Sequence, residues 1–174
     1  VHKLIVLREA GAGAEKIAAL LAPDVVFKSP VLSRSIEGRE RVAEAMVAAI
    51  AVREGAYIAE MADGPVTLLV WRGQVDGLPL DSFEMLVHDN AGLIVERTVA
   101  MRPFASALRF RNAFYERMKD RLGIEYFALP DASSSVEQSG IAEGAHDRVV
   151  HGDVAASARD QLGAGDRGID GCAA

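Results

Sequence analysis

Between Tyr57 and Pro103 the apolar residues of this 174-residue chain recur with a period of two, in four stretches separated by turn-forming residues. AYIAEM is broken by Asp63-Gly64-Pro65, VTLLVWRGQV by Asp76-Gly77, LDSFEMLVH by Asp89-Asn90-Ala91-Gly92, and LIVERTVAM by Pro103. Alternation of this kind marks half-buried strands. Residues at each break tolerate a left-handed backbone, so neighbouring strands pair as antiparallel hairpins. Four strands in succession make a curved meander.

Helical periods flank the meander. LREAGAGAEKIAALLAPD begins helical, loosens at Gly11 and Gly13, and resumes with Ile17, Leu20 and Leu21 on one face until Pro23 ends it. Asp24 to Ser29 reads as a strand closed by Pro30. From Gly38 a second helix places Val42, Met46, Ala49 and Ile50 on one face, with Glu37 and Glu40 at its positive end. After Pro103, ALRFRNAFYERMKDRLG predicts a helix with Leu108, Phe114, Tyr115 and Met118 buried and Gly123 as its stop. This order describes an α+β cone, with helices packed on the concave face of one bent sheet. No repeat of 20–50 residues is apparent, which excludes solenoids and propellers.

Composition divides the chain near residue 130. Residues 131–174 hold eight acids against three bases, seven of the sixteen glycines, and no Phe, Tyr or Trp. Such a segment buries little surface against the entropy of ordering, so it is expected to be a disordered acidic tail behind a domain spanning 1–130. The remainder is nearly neutral and shows no basic stripe, which argues against nucleic acid as a partner. No apolar run approaches the roughly 20 residues of a membrane span, and VHKLIVLREAG is too short and charged for a signal peptide. The single cysteine, Cys172, excludes an internal disulfide and suits a cytoplasmic location. His146 and His151, five apart, do not share a helical face, so no metal is expected, and no cofactor motif is present.

Three runs, LLAPDVVFKSPV, GRERVAEAM and FEMLVHDNAGLIVERTVAMRP, together resemble the nuclear transport factor 2-like superfamily, nearest its SnoaL-like branch of uncharacterised bacterial proteins. The resemblance covers residues 4–104. It implies a conical pocket between sheet and helices and a homodimer formed through the sheet's outer, convex face, which carries Thr98 and Ala100. Ketosteroid isomerases of the superfamily place a general-base aspartate where this chain has Ser29, a tyrosine near Ile5, and a second acid matching Glu84. The epoxide-hydrolase and scytalone-dehydratase patterns do not transfer either, since Val99 stands where one needs an aspartate, and only His2 and His88 precede the tail.

Glu84 is the residue of greatest chemical interest. With Asp89 to Gly92 as a four-residue turn, Glu84 faces Arg97 directly across the hairpin, and the family register turns that pair toward the cavity with Val99 and Met101 beside it. The resemblance adds Ser29, Phe27 and Leu86 to this lining. One reading makes Glu84 a carboxylate poised to bind or deprotonate a ligand; another makes it a charge pair that fixes register, with a lowered pKa. His88 alternates with Glu84 and Leu86 and is the second candidate for proton transfer. Trp71 and Tyr57 read as sheet packing.

The chain is therefore expected to be a domain with an apolar pocket for a small hydrophobic ligand. The alternatives are an isomerase, cyclase or hydrolase acting on a polyketide- or terpenoid-like substrate, with Glu84 and His88 as catalytic residues, and a non-catalytic dimerisation module. A cavity of about 300 Å³ or more separates the last from the others.

Overall fold

The computed structural model describes residues 1–128; the expected tail and His146, His151 and Cys172 lie outside them. Helix α1 spans Lys3–Glu9 and α2 spans Ala14–Ala18, so the helical run does break across Gly11 and Gly13. Strand β1 (Leu21–Lys28) and the two-residue β2 (Ile36–Glu37) precede α3 (Arg39–Ile50). Strands β3 (Glu54–Asp63), β4 (Val66–Val75), β5 (Leu78–His88) and β6 (Ile94–Arg102) form the meander, and α4 (Phe104–Met118) follows it.

The strands lie in the order β2-β1-β6-β5-β4-β3. Neighbours from β3 to β6 are antiparallel, whereas β1 joins β6 in parallel, so the sheet is mixed. The α+β class holds. Its parallel pairing is set by contacts more than sixty residues apart, which no local turn announces. The Asp76-Gly77 turn has positive φ at both residues, 48° and 77°, the geometry that matches a two-residue hairpin to the twist of its strands.

The first strand starts earlier than its sequence suggests. α2 stops at Ala18 because the Ile94 amide donates to the Leu20 carbonyl at 2.9 Å and draws the next residues into the sheet. Pro23 falls where pairing with β6 is interrupted between Leu21 and Val26, so its missing N–H costs no ladder bond. Helix α4 also differs from expectation. Phe110, Phe114 and Met118 are buried, but Leu108 is 46% exposed, because the buried stripe runs through Ala107 and Phe110.

Helix α3 packs on β1 and β2, and α4 on β4, β5 and β6. Beneath them the inward faces present Val25 and Phe27 from β1, Leu69 and Trp71 from β4, Leu80 and Leu86 from β5, and Val99 from β6. The outward faces carry two cross-strand rows. One runs Ala59, Val70, Phe83, Ala100 and the other Met61, Leu68, Met85, Thr98. No helix among the described residues is long and apolar enough to cross a membrane, and no group of three or more His, Cys, Asp or Glu there is placed to hold a metal ion.

Candidate functional site

The inward face of β5 alternates Leu80, Ser82, Glu84 and Leu86, all buried. A carboxylate in that row must find charged partners, because an isolated ionised group in an apolar interior is strongly disfavoured. Glu84 finds three. Arg97 Nη2 donates to its Oε2 at 2.9 Å, Arg53 Nη2 to Oε1 at 3.0 Å, and Arg8 Nη1 to Oε2 at 3.1 Å. The Tyr57 hydroxyl donates to Oε2 at 3.2 Å and the Ser82 hydroxyl to Oε1 at 3.4 Å.

Each arginine is positioned by its own element. Arg8 shares the buried side of α1 with Leu4 and Ile5 and donates to the Tyr57 hydroxyl. Arg53, between α3 and β3, lies over Trp71 with its guanidinium carbon 4.3 Å from the ring centroid and donates to Ser82 at 3.1 Å. Arg97 lies 4.7 Å over Phe27, its partner residue on β1 in the parallel ladder. Flat cations against aromatic faces are favourable when desolvated. Trp71 is itself confined: its ring closes over Gly73 and Gly55, where an added Cβ would fall within 2.5 Å and 2.7 Å of the indole.

The electrostatics follow from this packing. Burial alone would raise the Glu84 carboxyl, but the charges of Arg97, Arg8 and Arg53 outweigh it and hold the group well below the usual carboxylate range. Burial pushes Arg8 down, Glu84 opposes the fall, and Arg53 and Arg97 add to it, leaving a value of about 9. Arg53 is lowered too, by burial first and then by Arg97.

The expected Glu84–Arg97 pair is thus present, in a different register. Glu84 stands opposite Val99, and Arg97 opposite Leu86. An irregularity between Val87 and His88 slips the hairpin, so the pair is diagonal. The candidate acid–base role of Glu84 meets a carboxyl that three arginines hold below its ordinary value, with donors on both oxygens, which makes it a weak base. His88 does not join it. It lies at the far end of β5, roughly 13 Å along an extended strand, with Nδ1 3.0 Å from the Pro65 carbonyl and Nε2 3.1 Å from His2 Nε2. Of the expected lining, Phe27, Leu86 and Val99 are buried and Met101 is half-buried beside Ser82, its cross-strand partner. Ser29 lies beyond the end of β1 and accepts the Leu32 amide through its carbonyl at 3.2 Å.

Two hollows adjoin the cluster. One, of about 580 Å³, opens between the end of α3, the β3 and β4 strands and α4, and is lined by Val52, Arg53, Gln74, Glu116 and Arg117 among others. The second, of about 60 Å³, lies between Arg8, Arg53, Tyr57 and Trp71. The interior is apolar as expected, with this charged cluster set within it.

No family model matches this chain, and no curated protein matches it. Solved structures do. An uncharacterised protein conserved in bacteria, with a cystatin-like fold, from Silicibacter pomeroyi aligns at TM-score 0.62 and 28% identity, over 70% of this chain and 89% of that one. A steroid delta-isomerase from Pseudomonas aeruginosa aligns at TM-score 0.62 and 25% identity, over 66% and 85%. A nuclear transport factor 2-like protein of unknown function from Mesorhizobium loti, at 15% identity, shares the fold at TM-score 0.53 over 58% and 86%. The chain shares the nuclear transport factor 2-like fold.

Within this nuclear transport factor 2-like fold, four members of the charged cluster were not expected from the sequence: Arg8, Arg53, Ser82 and Tyr57, the last of which reads as sheet packing but donates to Glu84. Arg8 was legible as the one charged residue on the apolar stripe Leu4-Ile5-Arg8. Ser82 was legible as a polar residue two before Glu84, in the same inward row. Arg53 gave no signal, since a basic residue between a helix and a strand is ordinarily solvated.

Proposed function

We propose that this nuclear transport factor 2-like chain is a small-molecule-binding domain that works as a homodimer. Its ligand occupies the hollow of about 580 Å³ at the open end of the cone. Arg53 carries the reading, because it borders this hollow and reaches from there to Glu84; the volume also falls within the 300–1,000 Å³ of small-molecule sites. Gln74, Glu116 and Arg117 favour a polar ligand over a polyketide- or terpenoid-like one.

The dimer reading rests on the apolar rows of the outer sheet face. Phe83 is 36% and Met61 55% exposed there. Several charges around them are paired within the chain, Arg72 and Arg102 with Asp81 and Lys28 with Glu96, which lowers the repulsion between two copies related by two-fold symmetry. An isomerase-type activity is the second reading, favoured by the Pseudomonas aeruginosa neighbour and weakened by the engaged Glu84.

Native mass spectrometry of the purified chain tests both parts. A dimer mass with a bound small molecule, lost when Arg117 and Gln74 are both changed to Ala, is the expected result. Turnover of a steroid enone that is abolished by Glu84→Gln but not by those changes would favour the isomerase.

A further inference from the structure

Three guanidinium groups surround one carboxylate, so the interior carries a surplus of two positive charges on side chains that are at most 4% exposed. Glu84 does not absorb that surplus. A carboxylate offers about four lone-pair sites, and Arg8, Arg53, Arg97, Tyr57 and Ser82 already compete for them. Among the described residues, Arg53 Nε is a buried donor with no acceptor from the protein, and Arg97 Nη1 is a second, on a residue that does not line the space between Arg8 and Arg53. Buried charge with unmet donors calls for an acceptor that is itself anionic.

The fold places a cavity where such an acceptor fits. The space of about 60 Å³ between Arg8, Arg53, Tyr57 and Trp71 exceeds the roughly 10–15 Å³ that one water needs and is far smaller than a drug-sized site. Glu9, Gly55 and Ala56 on its outer side are exposed, so it opens to solvent between α1 and β3. Glu9 is the only acid on this lining; it makes no ion pair among the described residues, and counting it still leaves one positive charge unbalanced. A planar carboxylate matches the fork of a guanidinium better than a spherical ion does.

We propose that this cavity is a binding site for a small monocarboxylate of formate or acetate size, held between the Arg8 and Arg53 guanidinium groups. It shares only Arg53 with the larger hollow, so it stands or falls separately from the ligand proposed there.

Trp71, the only tryptophan of the chain, lies against Arg53 and reports on the site. The full chain is titrated with sodium formate and sodium acetate, with sodium chloride and sodium benzoate at matched ionic strength as references. A saturable change in Trp71 emission with formate or acetate is expected, together with a saturable rise in melting temperature. At 100 times the dissociation constant the folded-to-unfolded ratio rises about 100-fold. Benzoate, too large for the cavity, gives no saturable response, and Arg53→Met abolishes the response to the small anions. If formate and acetate behave as chloride does, or if benzoate matches acetate, the proposal is overturned. Should Arg53→Met fail to fold, ¹³C-formate exchange broadening in the unaltered chain decides: saturation and displacement by acetate support the site, and linear, undisplaced broadening overturns it.

Discussion

Glu84 is outnumbered three to one by the cations around it, and that imbalance makes its removal unequal to theirs. Glu84→Gln strands three buried guanidinium groups and is expected to cost about 3–5 kcal/mol, the range for breaking a buried ion pair. Arg97→Met removes one of three mutually repelling cations and should cost less, on the order of 1.5–3 kcal/mol for its charged hydrogen bonds. Urea unfolding of the two variants checks the order, and equal losses would contradict the charge surplus. Acid acts on the same residue. Its carboxyl is held below its ordinary value in the fold, so the unfolded chain binds the proton first. The stability contributed by Glu84 is fully present above about pH 4.5 and declines as the pH falls further. Glu84→Gln should flatten this acid limb of the stability profile. The residue itself was legible in the sequence as an acid in an alternating apolar strand. Arg97 was legible as its partner across the hairpin; Arg8 and Arg53 were not, because they reach it from 76 and 31 residues away, and no local pattern encodes such a distance.

At the scale of elements, the four meander strands were legible because each turn is written in its own residues, Asp76-Gly77 above all. What escaped were features decided by other parts of the chain: the two-residue β2, the parallel seat of β1, and the slip that moves Arg97 from opposite Glu84 to opposite Leu86. The buried face of α4 was half legible. Phe110→Ala should cost about 3–5 kcal/mol as a core truncation, while Leu108→Ala, on the exposed side, should change stability by under about 0.5 kcal/mol; thermal unfolding compares them. Helix α1 is tied down at its start by a chain of imidazole hydrogen bonds. The Leu4 amide donates to His2 Nδ1, leaving His2 Nε2 to donate to His88 Nε2, whose Nδ1 donates to Pro65. Burial and the nearness of His88 and Lys3 lower the His2 pKa in the fold, with Glu60 opposing. The neutral form is therefore the folded one, and this stability is lost as the pH falls below about 6.5. Hydrogen-exchange protection of α1 should drop between pH 7 and 5.5 relative to β4, and His88→Ala should remove that difference.

Across the described residues as a whole, the outer sheet face carries two apolar rows, and the homodimer proposed above would cover them. Thr98 and Ala100 lie in these rows. Thr98→Lys combined with Ala100→Glu should shift the sedimentation coefficient from dimer to monomer without changing the far-ultraviolet spectrum. An unchanged coefficient would mean that this face is not the seam. The charged cluster also sets an order of events during synthesis. A ribosome that has released residues up to 83 has delivered two of the arginines and none of the carboxylate that lets them be buried, and Arg97 emerges later still. Burying those guanidinium groups without the carboxylate is costly, so the nascent chain is expected to close its interior only once β5 emerges.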